Sequence, residues 1–310
     1  MPQKQYLPEG IFISTEENNS YISSLSGLAK AMEEGTILEG RAIVCDSSHN
    51  LIVDLNGISG IIPRNEAAIG ISDGTTREIA IISRVGRPVC FKVSGIPFSN
   101  GRPQVMLSRR AAQEEAVDYF LTHISAGDIL NARVTHLEPF GAFVDIGCGI
   151  TSLIGIENIS VSRISHPSER FEVGQDIFAV VLAKDPALRR LSLTHRELLG
   201  TWAENASNFS AGETVRGIVR GKEDYGIFVE LTPNLSGLAE KKDDLREGQP
   251  VSVFIKSIIP ERMKIKLLII DSFDGPSPHT PLTYYINGSH IDRWVYTPPN
   301  CLSKTVETVF

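Results

Sequence analysis

From Ala142 to Ile146 the chain alternates with a period of two. Ala142, Val144 and Ile146 fall on one side, and Phe143 and Asp145 on the other. The stretch Ile227 to Leu231 repeats the pattern: Ile227, Val229 and Leu231 point one way, Phe228 and Glu230 the other. Alternation with one polar face predicts half-buried strands. Short strands separated by Gly, Pro and Asn predict a small barrel or sandwich, and helical periodicity is missing inside these stretches.

The two stretches belong to longer repeats. GDILNARVTHLEPFGAFVDIG begins at Gly127 and GETVRGIVRGKEDYGIFVELT at Gly212. At the constant offset of 85 between them, Val134 meets Val219, Phe140 meets Tyr225, Gly141 meets Gly226 and Phe143 meets Phe228. Downstream, VGQDIFAVV (Val173 to Val181) is echoed by EGQPVSVFI (Glu247 to Ile255) and by VGRPVCFKV (Val85 to Val93). The last echo reveals a fainter first copy, in which LIVDL (Leu51 to Leu55) corresponds to AFVDI (Ala142 to Ile146). The expected units are therefore 36–109, 127–196 and 212–271. Each is about the size of a small domain that folds with little margin.

Helical signals appear between the units. SRRAAQEEAVDYFLTHISAG (Ser108 to Gly127) offers a capping Ser, an apolar side of Ala112, Ala116, Val117, Phe120 and Leu121, and a glycine stop. THRELLGTWAENASNFSAG (Thr194 to Gly212) fills the equivalent gap. Helical linkers are expected over 110–126 and 197–211, holding the barrels at fixed spacing as Gly/Ser linkers would not. An N-terminal segment, 1–35, is expected to carry a short helix at about Ser24 to Glu34.

Phe143 and Phe228 share a face with acidic residues. Period two alone sends Phe140 and Phe143 to opposite faces, and Gly141 between them predicts a bulge or turn that brings both outward. Either Phe140 is covered by a loop or linker, or the pair is a platform. Recurrence at Tyr225 and Phe228 favours the platform. Aromatic faces suit unpaired bases, each stack being worth roughly 1–3 kcal/mol.

Thirty Lys and Arg against 37 Asp and Glu give a net charge of −7, with no long basic run. That neither confirms nor forbids nucleic-acid binding, but it favours stacking with local basic patches, suited to single strands, over a tight grip on duplex. Cys45, Cys90, Cys148 and Cys301 are scattered without a CxxC, so neither a zinc site nor a disulfide framework is expected, and free thiols suit a reducing cytoplasm. No stretch approaches ~20 apolar residues, and MPQKQYLPEGIF lacks a signal-peptide core. A Walker loop, HExxH and G-x-S-x-G are all missing, so no enzyme, cofactor, metal or small-molecule substrate is expected.

Taken in order, (F/Y)-G-x-F-V, the V-G-x-x-(I/V) strand entry and the closing strands VMLS, LSLT and IKLL make the units resemble the S1 RNA-binding domain, and their succession resembles the bacterial ribosomal protein S1 family, over about 36–271. The resemblance implies a mainly β chain of three tandem five-stranded OB-fold barrels. It implies a nucleic-acid face of two aromatics, a histidine, and an acidic and a basic residue flanking the last turn. In the second unit these are Phe140, Phe143, Asp185 and Arg189, with Gly155 in the histidine place. His166 occupies a loop position beside Arg163 and Arg170. In the third unit they are Tyr225, Phe228 and Lys264, with Glu240 and Pro260 as departures. In the first unit His49 and Ile52 replace the aromatics. Asp185 and Arg189 also fit a plain ion pair fixing the turn DPALRR.

The remaining segment, 272–310, holds a Pro-rich spacer (Phe273 to Pro281) and then PLTYYINGSHIDRWVYTPP. This reads as a hairpin turning at Asn287-Gly288, its Tyr284, Tyr285, Trp294 and Tyr296 packing on the third barrel or offering another RNA contact. The expected function is binding of single-stranded RNA, mRNA at the small ribosomal subunit, in support of translation initiation. A general RNA chaperone or decay factor and a protein–protein scaffold are the alternatives.

Overall fold

The computed structural model describes residues 6–310 apart from 100, 243, 276–281 and 302–304. Two helices come first, α1 (Glu16–Ile22) and α2 (Leu25–Glu34). Thr15 and Ser24 cap them, their hydroxyls accepting the Asn18 and Gly27 amides at 3.2 and 3.0 Å. The first barrel comprises β1 (Leu38–Cys45), β2 (Leu51–Leu55), β3 (Ile58–Ile62), the short α3 (Ile79–Ile82), β4 (Pro88–Gly95), a ribbon of β5 (Phe98–Ser99) and β6 (Arg102–Pro103), and β7 (Val105–Ser108). Helix α4 (Arg109–His123) leads to β8 (Ile129–Glu138), β9 (Gly141–Asp145), β10 (Thr151–Gly155), β11 (Asp176–Asp185) and β12 (Arg190–Thr194). After α5 (Trp202–Ala206) come β13 (Thr214–Glu223), β14 (Gly226–Thr232), β15 (Leu235–Ala239), β16 (Pro250–Ile259) and β17 (Lys264–Ser272), then β18 (Arg293–Val295) and β19 (Glu307–Val309).

All three barrels close the same way. The strand orders are β1-β2-β3-β7-β4, β8-β9-β10-β12-β11 and β13-β14-β15-β17-β16. The third strand pairs parallel with the fifth (Gly60 with Val105, Leu153 with Ser192, Leu238 with Lys266) and the other pairs are antiparallel. Closure leaves no unpaired edge. The expected inward set holds: Ala142, Val144 and Ile146 are buried, as are Ile227 and Val229, while Leu231 packs at the margin of its core. The first strand of each barrel carries a bulge at the matching place, Ala42/Val44, Val134/His136 and Val219/Gly221. Of the bulge or turn expected at Gly141, the turn is present at Pro139–Phe140, and the bulge lies one strand away. Gly141 serves a different end: a Cβ there would collide with the Ile154 carbonyl, and one at Gly226 with that of Ala239, so glycine admits the neighbouring strand.

Three expectations are corrected. First, the outward carboxylates Asp145 and Glu230 are buried, because the tandem arrangement covers that end of each outer face. An N-terminal strap clasps the first two barrels. Glu9 reaches the Cys90 amide (3.0 Å) in β4 and Arg109 (2.7 and 3.0 Å) in α4, and its own amide donates to Asp145 (2.8 Å) in β9. Between the second and third barrels, Glu230 binds Arg170 and Arg220, and Arg220 also reaches Glu169. Second, the second linker is no continuous helix. A 3₁₀ turn at Arg196–Leu199 breaks at Gly200 (φ +83°) before the five-residue α5. Burial of Leu198, Leu199 and Trp202 fixes this kinked path.

Third, no strand pair flanks Asn287-Gly288. The residues from Leu282 to Ser289 run without regular structure along the second barrel, where the Ser289 carbonyl accepts the Ile129 amide at 2.9 Å and the Leu198 carbonyl accepts that of Tyr285 at 2.8 Å. The tail strands are β18 and β19, paired Trp294 to Thr308. Trp294 and Tyr296 do pack into the third barrel's core, whereas Tyr284 meets Phe178 and His195 on the second. Backbone bonds to the second barrel and linker outcompete a local turn here. The spacer residues 276–281 lie outside the described part.

Candidate nucleic-acid interface

Because each bulge sits opposite the second strand's outer aromatic position, corresponding rows of outward residues can be read across the three barrels. In the second barrel the row is His136, Phe143, Leu153 and Ser192. In the third it is Gly221, Phe228, Leu238 and Lys266. In the first it is Val44, Ile52, Ile61 and Met106, wholly apolar. The same topology therefore presents three chemistries.

Phe140 stands on the turn before β9 and is 56% exposed. Its ring meets that of Phe143 edge to face, centroids 5.9 Å apart at 89°. Tyr225, 68% exposed, meets Phe228 at 6.1 Å and 90°. Two sequences separated by 85 positions thus build one shape. Edge-to-face contact fixes both rings without covering the outer face of either. His136 adds a ring over Phe143, 6.4 Å away and tilted by only 26°, with Nε2 2.7 Å from Glu138. Sequence reasoning missed His136 because the bulge in β8 shifts its alternation by one residue. In the first barrel, His49 sits in a turn at φ +62° beside Glu78 (3.4 Å), and Ile52 takes the place of Phe143.

The charged candidates are placed less uniformly. Asp185 accepts the Leu188 amide at 2.9 Å and so shapes the β11–β12 turn. Arg189, in a left-handed conformation (φ +50°), pairs with Asp118 of α4 at 2.6 Å instead of with Asp185. In the third barrel the left-handed residue is Met263 (φ +46°), which matches Arg189; Lys264, first in β17 and half-buried, matches Arg190, first in β12. The basic positions of the two barrels thus correspond one residue further on than the sequence comparison placed them. Arg190 and Lys266, both exposed, are outward cations that the sequence reading did not select.

His166 caps the 3₁₀ turn Pro167–Glu169, its Nδ1 2.8 Å from the Ser168 hydroxyl. Among the described residues no ring contact or hydrogen bond joins it to Phe140 or Phe143. Arg163 in the same loop is exposed, whereas Arg170 is buried in the contact with Glu230. No group of three His, Cys, Asp or Glu is placed to hold a metal ion among the described residues, and no helix among them is long and apolar enough to cross a membrane.

A family model described as the S1 RNA binding domain matches residues 124–196, which hold the second barrel. The small ribosomal subunit protein bS1 of Leuconostoc lactis is 29% identical over 277 residues, covering 82% of this chain and 62% of that protein. The bS1 protein of Staphylococcus aureus (strain COL) is 28% identical over 276 residues, covering 84% and 68%. The chain therefore spans under two-thirds of the Leuconostoc protein's length. A multidomain protein with nucleic acid binding domains from Streptococcus pneumoniae aligns over 78% of this chain and 76% of its own, at 13% identity and a TM-score of 0.26. The second barrel is thus matched as an S1 domain, and the whole chain is similar to bacterial bS1 over most of its length.

Proposed function

We propose that this protein binds single-stranded RNA through the aromatic platform of its second barrel, with the third assisting, and that its target is mRNA at the small ribosomal subunit during translation initiation. The observation that carries the reading is the exposed edge-to-face pair Phe140–Phe143, rebuilt as Tyr225–Phe228 in the next barrel. Folding alone gives no reason to repeat two outward aromatics in one geometry. Stacking explains both the repetition and the lack of a basic run, since every base offers a π-face. The similarity to bS1 supports the ribosomal setting. The first barrel, with Val44, Ile52, Ile61 and Met106 along its row, has no ring to offer there.

The test is titration of the full chain with a labelled single-stranded oligouridylate. Phe140→Ala and Phe143→Ala should each weaken binding by roughly 1–3 kcal/mol. The fold should survive, because both rings lie outside the barrel core. Unchanged affinity in a folded double variant would refute the platform. Sedimentation of cell extracts with and without RNase then distinguishes a ribosome-associated protein from a free RNA chaperone.

A further inference from the structure

A cleft of about 630 Å³ separates the first two barrels. One wall comes from the segment between β3 and β4, the floor from α4, and the other wall from the β11–β12 turn. Arg84, Arg109, Arg189 and Arg190 line it, against the carboxylates Asp73 and Asp145. In a chain of net charge −7 this is a concentration of cations.

These arginines are not equally engaged. Arg109 is held by Glu9, and Arg189 by Asp118. Arg84 shares Glu9 at a longer 3.4 Å, and its buried Nε has no hydrogen-bond partner among the described residues. One carboxylate therefore serves two guanidiniums. Arg190 is exposed and makes no ion pair among the described residues. Burial and the neighbouring Glu9 carboxylate push the Asp145 carboxyl up to about 7, so it answers the cations only in part near neutral pH.

The cleft opens beside the platform. Phe143 and Asp145 are successive outward positions on β9, paired with Leu153 and Thr151 of β10. Ser192 lies beside Leu153, and Arg190 is two residues earlier on the same side of β12. At about 3.3 Å per residue, the edge at Arg190 is ~7 Å from the aromatic row.

We propose that this cleft is a phosphate track for the single-stranded RNA held on the second barrel, the strand leaving the Phe143 row past Arg190 and running between the barrels beside Arg84. The proposal rests on the RNA-binding reading above. It gives the first barrel a part in binding through Arg84, although its own row carries no aromatic ring. Guanidinium groups suit this because their planar fork matches phosphate oxygens.

The experiment is fluorescence anisotropy of the full chain with a labelled oligouridylate of about 30 nucleotides, longer than the roughly 4–16 that one barrel covers, across a series of salt concentrations. Each phosphate neutralised on a single strand contributes about 0.7 to the slope of log affinity against log salt. Arg190→Ala should reduce that slope by about 0.7, and Arg84→Gln with Arg190→Ala by about 1.4. Should the Arg84 variant lose its thermal transition, Arg190→Ala and Arg190→Glu decide alone. An unchanged slope in folded Arg190→Ala overturns the track. The double variant Phe140→Ala/Phe143→Ala separates this proposal from the reading beneath it: stacking releases no counterion, so affinity should fall with the slope unchanged. Loss confined to the arginine variants would retire the platform and leave the track standing.

Discussion

Replacing Glu9 by Gln removes one negative charge from the clasp between the first two barrels while keeping its shape. The Glu9 side chain is 5% exposed and that of Arg109 4%. Its carboxylate takes Arg109 Nε at 2.7 Å and Nη2 at 3.0 Å, Arg84 Nη1 at 3.4 Å and the Cys90 amide at 3.0 Å. Gln offers one oxygen and one amide group, so donors face donors and Arg109 keeps a buried charge without its partner. Removing one member of a buried pair costs about 3–5 kcal/mol. An opposing effect comes from Asp145, which ionises more readily once the Glu9 charge is gone. The net loss should be about 2–4 kcal/mol.

Unfolding of three barrels is not a two-state process, so the assay must be local. Hydrogen exchange of the full-length protein reads the Cys90 amide, bound to Glu9, and the Cys148 amide, bound to the Leu7 carbonyl at 3.0 Å. A loss of that size predicts roughly 30- to 900-fold faster exchange at both, with the third barrel unchanged. The pH dependence has a definite sign. Glu39 and Asp145 are both pushed up to about 7, chiefly by burial. The folded state therefore holds more protons than the unfolded one from about pH 4 to 7, and clasp stability falls as pH rises through that window. The fall should be smaller in Glu9→Gln. Wild-type exchange rates at Cys90 and Cys148 in this variant would refute the account of the clasp.

Two further outcomes follow from the other buried contacts. Asn234, fully buried, accepts the Val161 amide at 2.9 Å and donates to the Arg196 and Gly200 carbonyls at 2.7 and 2.8 Å; Asn234→Ala should cost about 2–4 kcal/mol and loosen the second barrel from the third, seen as new protease sensitivity at the linker. Burial holds His195 down at about 4 from the usual 6.5, so its contribution is present above pH 6.5 and about 3 kcal/mol is lost as pH falls through 4; His195→Asn should flatten the acid side of the stability profile.

The repeat offset, the alternation in β9 and β14 and the Gly-rich turns predicted three small β units, barrel or sandwich, and the resemblance to the S1 domain selected the barrel; the outward aromatics Phe140, Phe143, Tyr225 and Phe228 could be picked from the same alternation. Strand period is a local property, set by the pleat, so it survives in the bare sequence. The capping Ser108 likewise marked the start of α4 correctly, since a cap is a contact across three positions. Asp145 and Glu230 read as outward and solvated because alternation records only which side of a strand a residue takes. What covers that side comes from Glu9 and Arg170, far away in the chain. The bulge at Val134/His136 hid His136, since one extra residue resets the alternation. The tail misled for a related reason: Asn-Gly favours a tight turn locally, but hydrogen bonds to Leu198, Gly127 and Ile129 set the path. The sequence suffices for the units, through a repeat at a constant offset, and for most of their inner and outer faces, because alternation follows from neighbours along a strand. Which outer faces stay open, where Arg84, Arg109, Arg189 and Arg190 converge, and which carboxylates lose their water depend instead on how separate barrels pack, and no local pattern records that.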